Sequence, residues 1–194
     1  MSYAGIILTW VFANNLVLNQ LLGLCPFLGV SRSPAAALRF ALASALLMPP
    51  FALAAWALER LVLVPLGVPF LQLLVLVLLL ALPLLVLRMR ARRPAPVPGI
   101  GWYLPQALSS CAVLGVGLLA TRAGYGAWSS LVAGAAAAGG YLLAVVVWSA
   151  LRERLDRHGV PRPLRGLPIA LVNAGLMALA FLAFDELLLK NLLG

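Results

Sequence analysis

Charge is what this chain has least of. Of 194 residues only 14 are Lys or Arg and five are Asp or Glu, whereas a water-soluble domain carries about a quarter charged residues. Such a surface cannot face water on all sides. With five acidic residues, none well inside a charge-free window, the chain has no obvious carrier for a proton or sodium ion of its own. There is one histidine, His158, in a basic loop, where it reads as a solvated side chain. There are two cysteines, too few to complete the four-ligand shell usual for zinc or iron–sulfur centres. No glycine-rich nucleotide loop follows a strand, and there is neither a catalytic triad nor a helical His-Glu pair. Nucleotide or flavin binding by the chain itself is therefore not expected. A basic n-region and a small-residue cleavage site are also missing, so the first 31 residues read as a retained span and not a signal peptide.

What is there is apolar: 64% of the residues are hydrophobic. Residues 1–31, 40–58, 61–87, 94–121, 123–151 and 166–184 contain no charge. Each window reaches the roughly 20 residues that cross a hydrocarbon core as a helix. In lipid every backbone N–H and C=O must be satisfied within the protein, which makes such windows helices. The alternation that marks barrel strands is missing, since Leu73 to Leu82 is apolar on every side. The expected fold class is all-α: a polytopic integral membrane protein with six transmembrane helices.

The basic residues sort by loop. Arg32 and Arg39 lie between the first two windows, Arg88, Arg90, Arg92 and Arg93 between the third and fourth, and Arg152, Arg154, Arg157, Arg162 and Arg165 between the fifth and sixth. The alternate side receives Arg60, Arg122 and Lys190, with Glu59, Asp185 and Glu186 beside them. This positive-inside bias puts both termini on the non-cytoplasmic side of the inner (cytoplasmic) membrane. It also accounts for the net charge of +9 without a nucleic-acid partner. The proline-rich "RRPAPVPGIG" reads as a stiff cytoplasmic connector between two halves.

Those halves repeat. With Cys25 placed over Cys111, "LGLCPFLGVS" lies on "LSSCAVLGVG", sharing a leucine three residues before the cysteine and Leu-Gly-Val from three to five after it. Residues 1–93 and 94–194 then hold three spans each. Three is odd, so the second copy enters the membrane from the opposite side, the inverted-repeat plan of many transport proteins. Pro26 disfavours a helical Cys25, Gly23 and Gly29 loosen the backbone around it, and Pro105, Gly115 and Gly117 flank Cys111 in the same way. Broken helices at membrane depth survive only where protein or a cavity surrounds them. Both breaks, with their cysteines, are therefore expected at the interface of the halves near the midplane.

Two thiols there have several uses. A cysteine is often a small buried hydrophobe, and a disulfide is a second option. Symmetric placement points to a third, a shared ligand role, in which a cation neutralises a thiolate pair that is costly in hydrocarbon. Any metal would need its remaining ligands from another polypeptide with its own cysteine pair.

At these residues a family comes into view. "NNLVLNQLLGLCPFLGVS", "LPQALSSCAVLGVGLL" and "LRERLDRHGVPRPLRGLPIALVNAGLMALAFLAF" resemble the family of membrane subunits found in Rnf electron-transport complexes (types A and E) and in sodium-pumping NADH:quinone reductase. The resemblance runs over nearly the whole chain, and "CPFLGVS" after Asn-Asn favours the A type. It implies that Cys25 and Cys111 supply two ligands of an intramembrane [2Fe–2S] cluster shared with the E subunit. It further implies assembly with the B, C, D and G subunits, electron transfer across the bilayer, and ferredoxin:NAD chemistry coupled to sodium or proton movement. Relatives usually read Thr-Thr-Asn before the second cysteine, where Ser109 and Ser110 fill the last two places here. Many also carry a glutamate near the end of the third span, where this chain has Leu87-Arg88-Met89. No ion-path role of that glutamate transfers.

Other polar residues fit bundle glue: Asn14, Asn15, Asn19 and Gln20 on the first span, with Asn15 and Asn19 sharing a helical face, Gln72 on the third and Asn173 on the sixth. A polar lining for ion passage is the functional alternative. "AGAAAAGG", residues 133–140, offers a surface for close helix contact, and Trp56, Trp102 and Trp148 are expected at membrane interfaces. A small transporter with incidental cysteines is the rival from another class. The corresponding quinone-reductase subunit is the rival within the family.

Overall fold

A computed structural model describes residues 3–13, 15–17, 19, 22–23, 34–67, 69–90, 100–157 and 167–193. Among these residues every regular element is a helix. Helix α1 (Tyr3–Leu8) widens into a π-helical turn, Thr9–Ala13. Helix α2 (Pro34–Leu58) carries on through a π turn, Glu59–Leu63, and one more short turn that ends at Gly67. Helix α3 is Gln72–Arg90, α4 Ile100–Leu108, α5 Cys111–Arg122, α6 Ala127–Arg157 and α7 Leu167–Leu193. Prolines 49, 50, 83 and 105 all lie inside helices. That is tolerated in membrane helices, where neighbouring groups satisfy the freed carbonyls.

The core is built on α2 and α6, which share the most extensive helix contact. Small residues make this possible. A methyl added at Gly134 would stand 2.9 Å from the Cα of Pro49 and 2.9 Å from the Cβ of Ala52. Ala41, Ala52, Ala133 and Ala144 are fully buried, so the two backbones approach closely and gain dispersion contacts without large side chains. Helix α2 also packs on α4 and α5, and α6 on α1. Elements from both halves of the chain therefore enter one core.

The outer surface is the reverse. Leu74, Leu78, Leu82 and Leu85 line α3, and Leu171, Leu176, Leu179 and Leu182 line α7, all more than half exposed. Rows of exposed apolar side chains like these are rare on monomeric soluble proteins, and they suit hydrocarbon. Among the described residues two helices, Ala35–Leu63 and Ala127–Leu151, are long and apolar enough to cross a membrane. Gln72–Val86, Cys111–Arg122 and Pro168–Ala183 are shorter apolar helices. The fourth charge-free window is divided between α4 and α5, which is why its described helices fall short of a span's length.

Two local expectations differ, wholly or in part, from what is seen. Gly115 and Gly117 do not loosen the backbone after Cys111. Both lie within continuous α5, where their missing side chains admit Leu16 and Leu22 in one case and Phe51 in the other. Trp148, close to the Leu151 end of the apolar stretch as expected, has its ring packed inside the protein and not exposed on its flank, whereas Trp128 near the start of α6 is exposed. The expected helix end at Cys25 and Pro26 and the side chain of Trp102 lie outside the described residues.

Candidate functional site

The site is reached from two interruptions of the helical chain. The second is the simpler. Helix α4 ends at Leu108 and α5 begins at Cys111, leaving Ser109 and Ser110 between them. Serine suits this place because its hydroxyl replaces helix hydrogen bonds. Ser110 is extended (φ −74°, ψ 130°), and its Oγ accepts from the Ala112 N–H at 3.3 Å, capping α5. Ser109 Oγ donates to the Gln106 carbonyl at 2.9 Å, and the Ser110 N–H donates to the Ala107 carbonyl at 3.1 Å. Cys111 is thereby fixed as the first residue of a 12-residue helix. It is half-buried.

The first interruption turns on Asn15, which is buried at 1% exposure. Its Oδ1 accepts from the Val17 N–H at 3.1 Å, and its Nδ2 donates to the carbonyls of Val11 at 3.0 Å and Gly140 at 3.1 Å. One side chain thus ends the α1 segment, starts the following turn and ties both to α6. The backbone continues through turns closed by Asn19 N–H to the Asn15 carbonyl at 2.9 Å and Leu22 N–H to the Leu16 carbonyl at 2.8 Å. Asn15 and Asn19 keep their four-residue relation in a single turn and not along a helix. Gly140 is small for a reason, since a methyl there would meet the Val11 carbonyl oxygen at 3.0 Å.

The interruptions meet at Gly23. Its backbone is left-handed, φ +94°, and its N–H donates to Cys111 Sγ at 3.1 Å. A methyl on Gly23 would stand 2.8 Å from the Tyr141 ring edge and 3.0 Å from the Ala112 Cβ. The residues leading to Cys25, the start of α5 and the buried face of α6 therefore converge on one sulfur. Cys25 itself, Asn14 and Gln20 lie outside the described residues. Among the described residues no group of three or more His, Cys, Asp or Glu gathers, so a metal reading rests there on Cys111.

Away from the sulfur, Gln72 at the start of α3 donates through Nε2 to Thr121 Oγ1 at the end of α5, and Thr121 Oγ1 also bonds the carbonyls of Gly117 and Leu118. Gln72 is bundle glue, as its type suggested. Gly23 as a donor, Ser110 as a cap and Tyr141 as a wall were not singled out from sequence. The nearest signal was the crowding of Gly23 and Cys25 at a break.

An all-helical chain with lipid-suited flanks and a half-buried thiol at an interior helix start defines a class, the helical proteins of the membrane. Similarity to known proteins narrows it. A model of the Rnf-Nqr subunits, described as membrane proteins, matches residues 3–188. The A-type subunit of an ion-translocating oxidoreductase complex from Cereibacter sphaeroides is 42% identical over 184 residues, 94% of this chain and 95% of its own. A protein of the same description from Serratia proteamaculans is 40% identical over 179 residues, covering 91% and 93%. The A-type subunit of the Na(+)-translocating ferredoxin:NAD(+) oxidoreductase complex from Acetobacterium woodii is 36% identical over 187 residues, covering 95% and 97%. This chain belongs to the Rnf-Nqr family of membrane subunits.

Proposed function

We propose that the chain is the A-type membrane subunit of an ion-translocating ferredoxin:NAD oxidoreductase complex, and that Cys25 and Cys111 hold half of a [2Fe–2S] cluster shared with an E-type sister subunit. The named relatives support the first part: all three are A-type subunits of ion-translocating oxidoreductase complexes matched almost end to end, and that from Acetobacterium woodii belongs to a ferredoxin:NAD(+) complex. The second part rests on one contact, the bond from the Gly23 N–H to Cys111 Sγ. Cys25 follows Gly23 by two residues in the chain, and in this reading its sulfur joins that of Cys111.

The donor set fits an iron–sulfur centre. Thiolates are its usual ligands, and Cys111 stands at a helix start with the Gly23 N–H donating to its sulfur. Its partial exposure leaves room for ligands brought by a sister chain. When bound, such a cluster supplies one-electron transfer between carriers on the two membrane faces. The residues here hold and orient the sulfur: Ser110 fixes the start of α5, Asn15 anchors the turn that delivers Gly23, and Tyr141 and Ala112 wall the contact. In this reading residues 1–93 and 94–194 are inverted three-helix repeats, broken at the cysteines, in the inner membrane.

Cys25→Ser and Cys111→Ser, each made in the assembled complex, test the assignment. Both are expected to abolish the cluster's EPR signal and ferredoxin:NAD electron transfer while the complex still assembles. Unchanged iron content and EPR signal in either variant would refute that ligand.

A further inference from the structure

We propose that Gly23 is a positioning residue for Cys111: its left-handed turn presents the backbone N–H as a fixed donor to the sulfur, holding the ligand in place and raising the reduction potential of whatever centre it binds. The inference rests on Cys111 being a cluster ligand.

Three observations carry it. First, the donor and acceptor are real partners, 3.1 Å apart, from segments 88 residues distant in sequence. Second, the place admits glycine alone on two independent counts. A φ of +94° is a region L side chains rarely adopt. A Cβ would also strike the Tyr141 ring edge at 2.8 Å and the Ala112 Cβ at 3.0 Å, and Ala112 cannot yield without moving Cys111 beside it. Third, the choice of acceptor is informative. A neutral thiol is a weak acceptor, so pairing the N–H of buried Gly23 with one satisfies it poorly. A thiolate or metal-bound sulfur is a strong acceptor, because the bond is then charge-assisted. Hydrogen bonds to ligand sulfurs withdraw electron density from a cluster and favour its reduced form. A backbone donor does so without rotamer freedom, so the effect is built into the fold.

Gly23→Ala in the assembled complex should lower the cluster midpoint in an EPR-monitored redox titration. One such bond is worth on the order of a tenfold change in the oxidised-to-reduced ratio, about 59 mV for a one-electron couple. Gly67→Ala is the control: Gly67 has φ +67° with nothing within 4 Å of an added methyl, so it carries the backbone penalty alone and should leave the midpoint unchanged. An unaltered midpoint in Gly23→Ala with iron retained overturns the proposal. Should that variant fail to assemble, the unaltered complex decides. With 15N-glycine incorporated, pulsed EPR of the reduced cluster should show a coupled glycine nitrogen, and its absence overturns the proposal. Cys111→Ser run in parallel separates the two readings. A normal cluster there sinks the ligand assignment, while a lost cluster beside an unshifted Gly23→Ala sinks only the role of Gly23.

Discussion

Asn15 occupies a position where an apolar segment stops being helical, and its side chain pairs with three backbone groups there. Its amide is used in full: Oδ1 takes the Val17 N–H, and Nδ2 gives one hydrogen to Val11 and one to Gly140. The buried Val17 N–H left unpaired costs about 1–3 kcal/mol, so Asn15→Ala is expected to destabilise the folded subunit by roughly that amount. Asn15→Asp is the sharper test. A carboxylate can still accept from Val17, but it sets an acceptor oxygen against the carbonyl oxygens of Val11 and Gly140, which repels. Thermal unfolding of the detergent-solubilised complex should rank Asp below Ala, and equal melting temperatures would mean that the Gly140 bond does little. The sequence marked Asn15 as polar glue, and that much was legible from an amide inside a charge-free window. Its partner was not, because a backbone carbonyl 125 residues away has no side-chain signature. Gly23 was legible only as a weak point in a helix for the same reason: its function lies in an N–H that every residue but proline possesses.

Helix α6 gives the clearest case of an element whose packing could be read in advance. The run from Ala133 to Gly140 announced a close contact, and Gly134 and Gly140 make it against α2 and the α1 turn respectively. The same run contains a built-in comparison. A methyl at Gly134 meets Pro49, including its backbone, at 2.9 Å, whereas at Gly139 it meets nothing within 4 Å. Gly134→Ala should therefore lower stability by about 1–3 kcal/mol through overpacking. Gly139→Ala should be neutral or gain up to about 1 kcal/mol from helix propensity. The two melting curves, measured side by side in the complex, check that contact geometry and not composition decides the outcome. The interruption before α5 was harder to place. Proline and glycine are helix breakers in water, and by that rule the break belonged to Pro105, Gly115 and Gly117. In this fold all three are inside helices, and the gap is two serines whose hydroxyls cap what the helices leave open. Side-chain hydrogen bonding decided the position, and it is a property of pairs that no single-residue propensity contains.

For the whole molecule the question is which ends of the bundle lie together. The link between Gln72 and Thr121 answers part of it, because Gln72 opens α3 just after the turn at Gly67, and Thr121 closes α5 just before the turn at Gly124. Those two turns are therefore at one end of the protein. Charge says which end. Near them lie Arg60 and Arg122 only, with Glu59 beside the first, while eleven of the fourteen basic residues fall in the three other connections. Basic loops stay in the cytoplasm, so the Gly67 and Gly124 turns should both face the other compartment. Alkaline phosphatase fused after Gly67 or Gly124 is expected to be active, and fused after Arg93 or His158 to be inactive. This pattern needs an odd number of crossings between Gly67 and Arg93, and again between Arg93 and Gly124. The proposed three crossings per half, with opposite entry of the two cysteine segments, fit this pattern. An active fusion after Arg93 would break that parity, and with it the reason for the two interruptions to approach each other from opposite sides. The contact between Gly23 and Cys111 would then need another origin than inverted repeats.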